Sequence, residues 1–300
     1  SGKTSEARAR LQLAADAGQL HQMWGCLMGA NPPQEMGGKF TGEQEVFLTK
    51  DKKAGAEGWL KFESGHYLKT ASDVPFDVTK LDLTNKVTCQ LPEKAPADQP
   101  PPDWTAQLRG LDGKVLARMD RFTGKGIVLE NLDLPVTLDR GLIELKDLTA
   151  KVNGGDLKVF TRVDARPVVP LMNNETKLVE AAWKDDIGNL LIYLVPFLPV
   201  EGSDKLSMKV SLDNKGEAAG KTGDEIKVSL LTAGQIHVQD ARFTGSEAFS
   251  SLAKGLNIPE LADLQVDSLK QNFRVEKGRI YTDTAEWVSA TATMSISGWV

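Results

Sequence analysis

Apolar and polar residues alternate through most of this chain. From about Phe40, Leu60 and Phe62, then Phe76 and Val78, then Val87, Cys89 and Leu91 alternate with polar neighbours. Successive side chains of a strand point to opposite faces, so a period of two predicts half-buried strands. The pattern is clearest where Leu132, Leu134, Val136 and Leu138 face one way and Asp133, Thr137 and Asp139 the other. Arg140-Gly141 supplies a turn, after which Ile143 and Leu145 resume the apolar face against Glu144 and Lys146. A one-residue slip at Asp147 predicts a bulge before Leu148, Ala150 and Val152. Gly154-Gly155 turns the chain again into Leu157, Val159, Thr161 and Val163. The elements predicted are those of an antiparallel meander with one wet face and one dry face.

Further strands are expected at Leu206–Leu212, at Ile226, Val228 and Leu230, and at Ile236 and Val238. Others follow at Phe273 and Val275, at Ile280 after a Lys277-Gly278 turn, and from Val288 to Ile296. Three segments read as helices. Residues 1–39 form a helical lead-in, with Thr4 or Ser5 as cap, Ala7, Leu11, Ala14 and Ala15 on one face and Gly18 as stop. Trp183, Ile187, Leu190, Leu191 and Leu194 recur at helical spacing and Pro196 ends the run; this is a core helix, a lid, or a helix touching a bilayer surface. Ser246 caps a third, with Phe249, Leu252, Ala253 and Leu256 on one side.

The expected organisation is a lead-in over 1–39, a β unit over 40–91, a Pro-rich loop or linker over 92–103, and a β meander over 104–170. A helical segment over 171–200 follows, then a β unit over 201–300 that carries the helix 246–256. Pro92, Pro96, Pro100, Pro101 and Pro102 exclude a helix or central strand from the linker. Ser1 opens the chain and Val300 closes it within a strand pattern, so both ends read as cuts. A weak internal repeat places Gly141 on Gly278, an offset of 278 − 141 = 137. It aligns Val136 with Phe273, Leu138 with Val275 and Ile143 with Ile280, and repeated meanders extend a sheet sideways. The fold class is therefore mostly β: an elongated, curved antiparallel sheet with a few amphipathic helices.

Composition narrows the functions. The net charge is −5 and the cations are scattered among acids, so the basic stripe of a nucleic-acid binder is missing. The same balance disfavours docking on anionic headgroups. No run of roughly 20 apolar residues is present to span a bilayer. Cys26 and Cys89 show no metal or redox spacing and read as unpaired thiols, a disulfide between them being the alternative. His21, His66 and His237 lie far apart, with His237 on a polar strand face as a solvated side chain. Gly2-Lys3-Thr4 lacks the upstream glycine of a phosphate loop, and Asp185-Asp186 reads as a helix cap rather than a catalytic pair. No catalytic, cofactor-binding or metal-binding residue is nominated, and no enzyme is expected.

Two stretches resemble a known family. AGQIHVQDARFTG, followed by an amphipathic helix, NIPELADLQVDSLKQNFRVEKGRIYTDT and SISGWV, resembles the C-terminal region of the AsmA-like bacterial envelope proteins. The earlier GIVLENLDLPVTLDRGLIELKDLTAKVNGGDLKV is similar to the preceding β unit of that family. Together they cover roughly half the chain; residues 1–103 contribute little. The resemblance implies a periplasmic β body with an inner-membrane anchor upstream, and similarity to bridge-like lipid-transfer proteins whose curved sheets form an apolar groove. It implies phospholipid transport or outer-membrane biogenesis, and no catalytic residue.

The candidate groove face comprises Leu134, Val136, Leu138, Ile143, Leu145, Val210, Leu212, Phe273, Val275 and Ile280, with phospholipid acyl chains as the expected partner. A sixteen-carbon chain in water costs on the order of 12 kcal/mol, at about 0.8 kcal/mol per CH₂. A continuous apolar trough offsets most of that without residue-specific chemistry. The alternative is a structural or interaction module that scaffolds outer-membrane assembly through other envelope proteins, its apolar face closed by the helices at 183–194 and 246–256.

Overall fold

A computed structural model describes residues 6–16, 35–68, 76–90, 104–124, 126–184, 205–244, 251, 254–255, 259, 264–289 and 293–299. Fourteen strands make one sheet in which every strand pairs with its sequence neighbours, all antiparallel. The first five are β1 (Ala7–Asp16), β2 (Glu35–Leu48), β3 (Lys53–Leu68), β4 (Phe76–Gln90) and β5 (Leu111–Gly124). The next five are β6 (Ile127–Asp139), β7 (Leu142–Val152), β8 (Gly155–Asp164), β9 (Leu171–Lys184) and β10 (Lys205–Ala219). The last four are β11 (Leu231–Thr244), β12 (Leu264–Glu276), β13 (Arg279–Val288) and β14 (Thr293–Trp299). β1 and β14 are the two edges, so the sheet does not close on itself. At about 4.8 Å per strand it is roughly 60 Å wide.

The tight connections follow from local chemistry. Arg140-Gly141, Asn153-Gly154 and Lys277-Gly278 each place two successive residues at positive φ between paired strands. That is the backbone of the two-residue hairpin turn whose twist matches the flanking strands. The Arg140-Gly141 and Lys277-Gly278 turns are the pair joined by the 137-residue offset. They close the β6–β7 and β12–β13 hairpins, so the repeat falls on equivalent strand pairs.

The bulge expected at Asp147 is present: its φ is 56° and the register shifts between Leu145 and Leu148. Asn131, Glu180 and Asp240 bulge β6, β9 and β11 in the same way. A bulge lets two residues three apart share a face. Leu178 and Ala181, and Val238 and Ala241, are such pairs.

Three expected elements differ. Residues 7–16, read as helix, form β1. Ala7, Ala9, Leu11, Leu13 and Ala15 also fit a period of two, and pairing with β2 decides between the periods. Arg8 and Arg10 on the other face bind Glu45 and Glu43, each at 3.0 Å. Residues 171–184, placed in a helical segment, form β9 between β8 and β10, and Trp183 belongs to that strand. The strand expected at Ile226–Leu230 is instead a helix, α2 (Gly223–Ser229). Thr222 and Glu225 form a reciprocal capping box that starts it, a local signal stronger than three apolar residues at alternate positions.

A second helix, α1 (Trp104–Arg109), precedes β5. Both helices lie along one rim of the sheet. Trp104 Nε1 donates to the Lys221 carbonyl at 2.8 Å, and Arg109 Nε to the Ala165 carbonyl at 2.8 Å. The rest of the 183–194 helix and the linker 92–103 lie outside the described residues. Of the helix expected over 246–256, Ser251, Lys254 and Gly255 are described and helical.

Candidate functional site: one face of the sheet

Residues paired across an antiparallel ladder point to the same face, so the registers trace each face from edge to edge. One row runs Val115, Val136, Leu145, Thr161, Asn174, Gly216, Thr232, Val275 and Ile280 through eight ladders. Four of the ten expected residues therefore occupy one row, although β6 and β13 lie seven strands apart. Leu138 pairs with Ile143 one row outward, and Leu134 with Ala117 one row inward. Val210, Leu212 and Phe273 are even steps along β10 and β12 from this row, so all ten share one face.

The same face continues to the first edge. Ala15, Phe40, Phe62, Leu81, Met119 and Leu132 make one row across β1 to β6. Phe40 and Phe62 touch with ring centroids 4.3 Å apart. In β10–β13 the face is a packed cluster: Met208, Val210, Ile236, Val238, Ala241, Val266, Leu269 and Ala285, flanked by Trp183, Leu212, Phe273 and Trp287. Of the ten expected residues only Val210 is buried, at 3% exposure; the other nine are half-buried. Leu11 in edge strand β1 is 55% exposed.

The opposite face is charged. Glu57 lies across from Lys86 at 2.9 Å, Lys151 from Asp156 at 2.9 Å, and Glu175 from Lys215 at 3.1 Å. Arg121 and Glu130 are 3.4 Å apart, also directly opposite. Such exposed pairs are each worth a few tenths of a kcal/mol up to about 1 kcal/mol. They fix which side meets water more than they hold the sheet. Two shallow hollows, of about 430 and 490 Å³, are lined chiefly by this charged face between β7 and β12.

His237 is on the charged face as expected, but it is half-buried rather than fully solvated. Its Nε2 lies 3.1 Å from Ser268 Oγ, and burial, aided by the Lys270 ammonium, holds its pKa below the ordinary 6.5. Cys89 is a free, half-buried thiol on the apolar face, and Cys26 and His21 lie outside the described residues. Among the described residues no cluster of three His, Cys, Asp or Glu could hold a metal, and no helix is long and apolar enough to cross a membrane.

What the alternation did not reveal is a set of neutral polar side chains inside the apolar face: Thr161, Asn174, Thr176, Asn214 and Thr232. Thr161, Asn214 and Thr232 each sit singly in a strand pattern, Asn174 and Thr176 are alternate residues of β9, and only the registers bring the five together. No family model, curated protein or solved structure matches the chain.

Proposed function

We propose that this chain is a non-enzymatic segment of a bacterial envelope protein that offers its apolar sheet face to phospholipid acyl chains, serving lipid transport or outer-membrane biogenesis. The observation that carries the reading is the single row holding Val136, Leu145, Val275 and Ile280, on an apolar face that runs across the strands from β1 to β13, exposed at β1, mostly half-buried from β2 to β9 and buried in the cluster of β10–β13. A roughly 60 Å span exceeds the length of an ordinary phospholipid acyl chain, so such a face serves many positions rather than one. Each methylene laid on it regains up to about 0.8 kcal/mol. The resemblance to the AsmA-like family points the same way and adds the expectation of a periplasmic location with an inner-membrane anchor.

Photo-crosslinking side chains at Leu138 and Ile143 test the reading in cells. Phospholipid is expected on both, and absent from probes at Thr137 and Glu144, which pair on the charged face. Labelling of both faces alike, or of neither, overturns it. A second reading is a module that scaffolds outer-membrane assembly through a protein partner. It is favoured by the cluster in β10–β13, where Val238 and Leu269 are 1% exposed, as beneath a sealed cover. A stoichiometric protein partner recovered without lipid would select it.

A further inference from the structure

Five neutral polar side chains form an island in the apolar face. Thr161, Asn174 and Thr232 lie in the row between Leu145 and Val275, and Thr176 and Asn214 pair in the adjacent row. The rows on either side of the island are apolar, with Val163 paired to Met172 toward one strand end and Leu157 to Leu178 toward the other. All five residues are half-buried, and none forms a side-chain hydrogen bond to a described residue. Their polar atoms are not among those sealed inside the protein.

The geometry at the centre is specific. Gly216 lies between Asn174 and Thr232 in the row. A Cβ on Gly216 would fall 2.5 Å from Thr232 Oγ1 and 2.6 Å from the Asn174 side-chain oxygen. Two polar groups from flanking strands therefore lean over one bare stretch of backbone. That makes a notch with converging hydrogen-bonding groups and no charge.

An unpartnered polar group sealed in apolar surroundings costs about 1–3 kcal/mol. A face that only carried hydrocarbon, or only packed beneath an apolar cover, would be better with Val and Leu at all five positions. The island calls for an occupant that is polar where it touches these residues and apolar on either side. At the notch the Thr232 hydroxyl can donate, and Asn174, which turns its oxygen toward Gly216, carries its two donors on Nδ2; hydroxyl and amide donors without positive charge suit a neutral carbonyl better than a phosphate.

We infer that the island binds the ester carbonyls of a diacyl glycerophospholipid whose chains lie on the adjoining apolar rows. The inference rests on the lipid-handling reading and adds a chemical preference to it. The face is then a track with a resting point, where a lipid pauses in one register, held by the groups at which its chains join.

The test compares two lipids of equal chain length and headgroup: ester-linked dioleoyl phosphatidylethanolamine and its ether-linked counterpart, which lacks the carbonyls. The full 300-residue chain is incubated with vesicles of each, and bound lipid is counted by mass spectrometry. The ester lipid is expected to bind about five-fold better, the equivalent of one net hydrogen bond. Thr176→Val with Thr232→Val, which keeps side-chain shape, should bring the ratio close to one, while Thr232→Ser should keep it. Equal binding of both lipids by the unaltered chain overturns the inference and leaves lipid handling standing. A preference that persists in a folded double-valine variant overturns it as well. Binding of neither lipid removes the lipid reading together with the inference.

Discussion

Phe62 faces Phe40 across the β2–β3 ladder, and its ring occupies the space left open by Gly38 and Gly65. A Cβ on Gly65 would overlap the ring itself, so the two residues are fitted to each other. Phe62 is 8% exposed, and Phe62→Ala should cost about 3 kcal/mol through lost burial and the cavity left behind. Urea denaturation should show a lower midpoint with little change in slope. Gly65→Ala should be comparably damaging although it adds only a methyl, because the ring has to leave its place.

The hairpin turns separate two costs that glycine replacement usually mixes. Gly154 has φ of 82° and a Cβ there would meet nothing within 4 Å. Gly154→Ala should therefore cost only the backbone strain, about 1 kcal/mol. Gly113, at φ 146°, is pressed against the Lys86 carbonyl of the neighbouring strand. Gly113→Ala should be clearly worse in the same thermal melt, since backbone of the β4–β5 ladder has to shift.

His237 predicts a pH dependence with a definite sign. Its folded pKa lies below the ordinary 6.5, so the unfolded chain takes up the proton first as pH falls. Stability from the neutral, partly buried imidazole is present above pH 6.5 and declines as the pH drops through and below that value. Denaturation midpoints measured between pH 7.5 and 5 should fall less steeply in His237→Gln than in the unaltered chain.

Asp164 works in a more acidic window. The Arg166 guanidinium binds both its carboxylate oxygens, Nε to Oδ1 at 2.8 Å and Nη2 to Oδ2 at 2.6 Å, and the Arg166 backbone amide adds a third bond. These bonds pull its pKa from 3.8 to about 2. A carboxylate with a lowered folded pKa stabilises above its unfolded value, and the contribution is lost as pH falls toward 2. In Arg166→Ala the Asp164 carboxyl should titrate clearly higher, while the backbone amide of residue 166 and the Arg162 guanidinium continue to lower it, and a carbon-13 titration of the side chain would record the rise.

The dry face was legible in the sequence because strand alternation is a local property: two residues of β6 and two of β7 declare their side without knowledge of any partner. Even the Asp147 bulge shows as a slip in that rhythm. β1 was misread because Leu11, Ala14 and Ala15 satisfy a helical spacing as well as Leu11 and Leu13 satisfy a strand, and alanine suits both. The choice is made by Glu43 and Glu45, more than thirty residues beyond the arginines they bind. α2 was legible in principle, since Thr222 and Glu225 have capping-box spacing, but Ile226 and Val228 outweighed it. The Thr and Asn island could not be read at all. Its members come from four strands, and their adjacency is a matter of register, which no single strand's pattern declares.

Lys158 and Lys177 sit directly opposite each other on β8 and β9, both exposed, on the charged face. Like charges in that position repel, so Lys158→Glu should stabilise the sheet by about 0.5 kcal/mol, an effect that shrinks in high salt. If the charged face only meets water, the change should leave phospholipid binding untouched. Leu145, opposite Thr161 farther along β8, offers the mirror experiment on the other face. Leu145→Asp places a carboxylate in the row that joins Val136 to Thr161, where an acyl chain would have to cross it. Lipid recovered with the purified protein should fall at least ten-fold, with circular dichroism still reporting a folded sheet. Equal loss in both variants would mean that lipid binds by general charge or at unfolded chain, and the separation of faces would then have no bearing on it.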